Sequence, residues 1–125
     1  MTLAHHELCF GCGHANLFGL QMELEPVDGG VAGRFFVKQD HQGPGGAAHP
    51  GVLASALQEA MALALHARGI HGRARRLEVE LLGDAAVGVF LHVEARVNDD
   101  FTGVASAREG DNTLAEARAV FSELR

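Results

Sequence analysis

The chain has 125 residues, enough for one domain built on one core. Ten basic residues against 16 acidic ones give a formal charge of -6, which excludes a surface designed to coat nucleic acid. No apolar run approaches the roughly 20 residues of a membrane span, and two cysteines are too few for a disulfide framework.

The first residues, Met1-Thr2-Leu3-Ala4-His5-His6-Glu7, have neither the basic start nor the apolar stretch of a signal peptide. A cytoplasmic location is expected. Cys9-x-x-Cys12 follows. A structural zinc site needs four ligands, and only His5, His6 and His14 lie nearby in sequence, so no metal is expected. A thioredoxin-like redox role would want the pair at a helix N-terminus in a different fold.

Leu20, Met22 and Leu24 then alternate with Gln21, Glu23 and Glu25, the turn Asp28-Gly29-Gly30 follows, and Val31 to Lys38 resumes a strand-like run. This pattern predicts a hairpin. From His49 through Leu65 the chain reads as a helix apolar on nearly every side, which marks a buried helix. Pro50 suits its first position, and the N–H groups beginning at Gly51 would point out of the helix end. Ser55, Gln58 and Glu59 are spaced to share one face. A carboxylate buried there must find partners or take up a proton.

Arg68, Arg73, Arg75 and Arg76 form the one basic cluster. Beyond it Leu77, Val79 and Leu81 alternate with Glu78 and Glu80, and Val89, Leu91, Val93, Ala95 and Val97 alternate with Phe90, His92, Glu94 and Arg96. Two more strands are predicted at Thr102–Arg108 and Leu114–Ser122, joined by the turn Glu109-Gly110-Asp111-Asn112. The order is β-β-α-β-β-β-β over a single domain, residues 1–125. An antiparallel sheet needs one face covered, and a helix of about 19 residues, roughly 28 Å long, can lie across it. The expected class is α+β, a sheet of about six strands wrapped around one long central helix.

With Cys9-x-x-Cys12-Gly13-x-x-Asn16-x-x-Gly19-Leu20, then the loop Gln42-Gly43-Pro44-Gly45, then His49-x-Gly51 opening the helix, the chain resembles the hotdog-fold thioesterases. It is most similar to the small acyl-CoA thioesterases of the phenylacetate-pathway type. The resemblance implies a homodimer, often paired into a tetramer, with active sites between subunits that take a thioester of coenzyme A and need no other cofactor. It also implies a reduced Cys9/Cys12 loop packed near the sheet edge, and a role for Gln42 in holding the thioester oxygen. Arg75 and Arg76 are candidates for the coenzyme A phosphates, and His49 and Ser55 for contact with substrate.

Two positions depart from the pattern of that family. Where it has the first glycine of His-Gly-Gly, whose N–H polarises the thioester carbonyl, this chain has Pro50, which has no N–H. Where it has the catalytic acid, nine residues after the histidine, this chain has Gln58, an amide that cannot act as nucleophile or general base in that way. Gly51 can supply an N–H to a developing oxyanion, and Glu59 is the adjacent carboxylate, turned by about 100° from Gln58 so that it need not point into the same pocket. Pro50-Gly51-Val52-Leu53 also echoes the dehydratase branch of the fold, but there the acid would fall at Ala56, and His41 and His49 are only loose candidates for the histidine that chemistry needs. The expected function is a thioesterase-like protein that hydrolyses or binds a coenzyme A thioester, with Gly51, Gln58 and Glu59 as the catalytic candidates. The alternative is a non-catalytic acyl-CoA or small-ligand binding protein of the same fold. A purely structural oligomer is a third class.

Overall fold

The computed structural model describes residues 2–124. Among them are six strands, β1 (Glu23–Val27), β2 (Gly30–Phe36), β3 (Gly72–Leu81), β4 (Phe90–Val97), β5 (Thr102–Glu109) and β6 (Asn112–Glu123), and one α-helix, α1 (Pro50–His66), between β2 and β3. All strand pairs are antiparallel, and the sheet order is β1-β2-β4-β5-β6-β3. The expected order of elements is the observed one. No helix among the described residues is long and apolar enough to cross a membrane.

Both predicted tight turns form. Gly29 at φ 83° and Gly110 at φ 57° take the left-handed backbone that a two-residue hairpin requires. The first strand starts at Glu23 and not at Leu20, because Gln21 has φ 49° and breaks the pleat. Leu20 and Met22 remain buried all the same, their N–H groups donating to the carbonyls of Phe10 and Gly11. At the other end of the helix Gly69, with φ 77°, ends α1 in a double cap: its N–H donates to His66 and that of Ile70 donates to Leu65.

The helix lies on the inner face of the sheet and buries Leu53, Leu57, Met61 and Leu65 against Phe35, Leu91, Val93 and Phe121. Opposite it β5 and β6 present Ala105, Ala107, Ala115, Ala117 and Ala119, whose small side chains let the helix approach closely. At Gly103 a Cβ would lie only 3.0 Å from the Met61 sulfur. The alternation expected of β4 holds: Leu91, Val93, Ala95 and Val97 point inward and are buried.

Strand β3 differs from expectation. It begins five residues before Leu77, and a bulge between Ala74 and Arg76 resets its register. Leu77, Val79 and Leu81 pair with the inward-facing Ala119, Ala117 and Ala115, so they share the helix side of the sheet. Yet Leu77 and Leu81 are 38% and 49% exposed. The start of the edge strand β3 packs on α1, with Gly72 against Leu65, but α1 does not cover Leu77 and Leu81. The outer backbone edge of β3 has no strand partner among the described residues.

Because Leu57 is fully buried in this core, Leu57→Ala is expected to destabilise by about 2–5 kcal/mol, read as a fall in the urea midpoint. Val104→Ala, on the outer face, should cost less than about 0.5 kcal/mol. Equal losses at the two positions would contradict this assignment of inside and outside.

Candidate functional site

The entry to α1 is held by His41. This ring is buried; its Nδ1 accepts from the Lys38 N–H at 3.1 Å and its Nε2 donates to the Gly19 carbonyl at 3.2 Å. Its own carbonyl accepts the His49 N–H at 2.8 Å. One residue thus joins the Asn16-x-x-Gly19 segment, the loop carrying Gln42, and the residue that caps the helix. Gly43 closes that loop so tightly that a Cβ would lie 2.8 Å from the His49 Cα. Gln42 is exposed beside it.

At the helix start, His49 is the N-cap, and its Nδ1 accepts from the Gly51 N–H at 2.9 Å. The N–H groups of Val52 and Leu53 donate to the His49 carbonyl, and Pro50 has none. Every donor of the first turn is therefore engaged within the chain, including the Gly51 N–H expected to hold an oxyanion. The Ser55 hydroxyl donates to the Gly51 carbonyl at 2.8 Å. Gln58 is half-buried, and its amide makes no hydrogen bond to another described residue.

The expectation that Ser55, Gln58 and Glu59 share one face needs correction. Successive helical residues are turned by about 100°, and that turn carries Glu59 to the flank covered by the N-terminal segment. Its side chain packs over Gly11, where any Cβ would collide with it. There Glu59 Oε2 meets His5 Nδ1 at 2.9 Å and the Cys9 thiol at 3.5 Å, while Cys12 Sγ lies 3.5 Å from His5 Nδ1. Hydrogen bonding to Cys12 and then to Glu59 pushes the His5 imidazole up to about 11. Burial alone would raise the Glu59 carboxyl, but hydrogen bonds from His5 and Cys12 and the His5 charge hold it below its ordinary value. Burial pushes the Cys12 thiol up. The result is a carboxylate–imidazolium pair beside two free thiols, with all four ligand atoms within 4.8 Å of one another. A carboxylate so engaged is no general base for a substrate lying against Gln58.

Arg75 and Arg76 are also apart from the helix entry. Arg75 Nε donates to Ser122 Oγ at 2.6 Å, and Arg76 lies 3.5 Å from Glu78. They stand at the end of β3 that begins with Gly72 beside Leu65, the opposite end of α1 from His49. Two grooves of about 500 and about 460 Å³ lie on the outer face of the sheet, lined by residues such as Glu78, Val104 and Arg118. Neither borders His49 or Gln58.

The sequence matches no family model and no curated protein. Solved structures do match. A conserved protein from Pseudomonas aeruginosa aligns over 98% of this chain and 100% of its own, with a TM-score of 0.77 and 20% identity. The PaaI protein from the phenylacetic acid degradation operon of E. coli aligns over 91% of this chain and 84% of its own, with a TM-score of 0.75 and 21% identity. This chain has the hotdog fold. A hypothetical thioesterase from Streptococcus pneumoniae, solved with coenzyme A, shares that hotdog architecture at a TM-score of 0.71 and 18% identity, over 82% of this chain and 87% of its own. These identities establish a common architecture and leave the chemistry to the residues in place.

Burial lowers the His41 pKa from its ordinary 6.5. The unfolded chain then binds more protons than the folded one between the folded value and 6.5, so stability falls as pH drops through that window. His41→Gln removes this linkage. The wild type is expected to lose more stability than the variant between about pH 7.5 and about pH 5.5, measured as urea midpoints. Equal slopes would mean that His41 is not held neutral.

Proposed function

We propose that the protein is thioesterase-like and takes a coenzyme A thioester at the entry of α1, with His49 in place of the missing glycine donor. The observation that supports this most directly is the hydrogen bond from the Gly51 N–H to His49 Nδ1. A ring nitrogen that accepts from a backbone amide carries no proton, so the neutral imidazole carries it on Nε2, at the far side of an exposed ring. A thioester carbonyl placed there would accept from Nε2–H, and the developing oxyanion would be stabilised by it. The Gln58 carbonyl oxygen can orient an attacking water. Its amide cannot take the water's proton. Hydrolysis to the free acid and the coenzyme A thiol would then run without a general base, a loss of roughly 10²–10⁴-fold.

His49 and Gln58 are nine residues apart, about 13 Å along a helix, too far for both to touch one thioester. A complete site therefore needs His49 of one copy and Gln58 of another. The uncovered Leu77 and Leu81 and the open edge of β3 support a homodimer joined there, with a tetramer as the larger assembly. A cytoplasmic location fits two unpaired thiols. The second reading, a binding protein without turnover, is favoured by one observation: the only carboxylate of α1 is engaged by His5.

Thiol release from short, long and aromatic acyl-CoAs separates the two. Slow wild-type release, raised on the order of 10²-fold by Gln58→Asp and further by Pro50→Gly, is the expected result. His49→Phe should lower whatever rate the wild type has. Calorimetric binding of an acyl-CoA with no release, in wild type and Gln58→Asp alike, would establish the binding reading. A wild-type rate that is already fast and is lost in Glu59→Gln would overturn the assignment of both His49 and Gln58.

Arg75→Ala with Arg76→Ala is expected to weaken coenzyme A binding while barely changing stability, since exposed charges contribute little to folding. Equilibrium sedimentation at micromolar concentration should show a dimer for the wild type and a smaller species for Leu77→Glu with Leu81→Glu. A folded wild-type monomer would remove the shared site.

A further inference from the structure

The geometry points to a four-ligand site for one zinc ion, formed by His5 Nδ1, Cys9 Sγ, Cys12 Sγ and a Glu59 carboxylate oxygen. One nitrogen, two sulfurs and one oxygen make a donor set suited to zinc, borderline soft and content with four ligands. Bonds of 2.0–2.3 Å to a tetrahedral ion put neighbouring ligand atoms about 3.3–3.8 Å apart. The observed separations are 2.9 Å from Nδ1 to Oε2, 3.5 Å from Cys9 Sγ to Oε2 and 3.5 Å from Cys12 Sγ to Nδ1, with none beyond 4.8 Å. Shifts of under about 1 Å complete the tetrahedron.

The backbone around the cluster is arranged as a thiolate site needs. The Gly13 N–H donates to the Cys9 carbonyl at 2.9 Å, which folds Cys9-x-x-Cys12 into a tight turn with both sulfurs on one side. The His5 N–H donates to Cys12 Sγ at 3.1 Å, the kind of outer-shell hydrogen bond that orients a sulfur ligand. The Glu59 side chain is 10% exposed and the His5 side chain 27%. Zinc would be held by two thiolates, a carboxylate and a neutral imidazole, and the protons those ligands carry would leave to solvent as it binds. With four protein ligands and no open coordination position the site is closed, hence structural.

Such an ion would fasten the N-terminal segment to the middle of α1 at the residue next to Gln58. The assignment does not rest on the thioester reading. It reverses the expectation drawn from the residues near the cysteines, because the fourth ligand comes from 47 positions after Cys12.

The test uses untagged wild-type protein. Elemental analysis before any chelation should find about one zinc per chain. Removal of that zinc and titration with cobalt(II) should give the strong visible bands of a tetrahedral ion together with thiolate-to-cobalt charge transfer. Cys9→Ser and His5→Ala, both at partly open positions, should each weaken metal binding by more than about 10²-fold, since even outer-shell changes cost 10–100-fold. Zinc should also raise the Tm of the wild type but not of these variants. Folded wild type with reduced thiols, negligible zinc and no thiolate charge transfer would overturn the site. So would metal binding unchanged in Cys9→Ser, which would mark an exposed histidine site instead.

Discussion

A helix apolar on almost every side must be covered on almost every side, and the rest of this structure follows from that constraint. The sheet covers one half of α1, using alanines on β5 and β6 where the approach is closest. The segment from Leu3 to Gln21 covers the Glu59 flank, reaching Leu24 through the Leu3 N–H and Met22 through the Gly11 carbonyl. What stays partly open is the stripe through Val52, Ser55 and Gln58, and it lies on the same side of the sheet as the uncovered leucines of β3. One chain therefore leaves two apolar features unfinished, and a second copy can finish both.

Covering the Glu59 flank with a short, glycine-rich segment sets a local electrostatic problem. A carboxylate that is nine-tenths buried needs hydrogen bonds and opposite charge. Gly11 makes room for it and His5 neutralises it, with the two cysteines filling the remaining space around the oxygen. This solution removes Glu59 from the open stripe. Position 58 is then the only polar group there able to reach a ligand beside Ser55, and in this chain it is uncharged.

Much of this was legible in the sequence and some was not. The order of elements, the buried helix, both hairpin turns and the inward residues of β4 follow from periodicity and turn chemistry, which are local. The boundaries of β1 and β3 were not legible, because the left-handed Gln21 and the bulge at Ala74–Arg76 answer to packing. The alternation of Leu77, Val79 and Leu81 was legible, but alternation cannot say how far a helix covers the face they share. The partners of Glu59 were out of reach because His5 and Glu59 are 54 positions apart. His41 was only a loose candidate for a dehydratase-type histidine, and nothing around it in sequence marked it as a junction. A lone histidine in a loop becomes a junction only once Gly19, Lys38 and His49 surround it.

The two flanks of α1 are not independent. Residues 58 and 59 differ by about 100° in direction, so whatever fixes the rotation of the helix at Glu59 also fixes where Gln58 points. The cap at His49 fixes the same rotation from the helix start, through the Gly51 N–H at one side of its ring and the His41 carbonyl behind it. A rigid rotation of even 20–30° about the helix axis would break the 2.9 Å contact between Glu59 and His5 before it brought a new group into the stripe. The N-terminal cluster and the histidine cap therefore act as two clamps on one rigid element, and the open stripe keeps its geometry for a ligand because both of its neighbours are held.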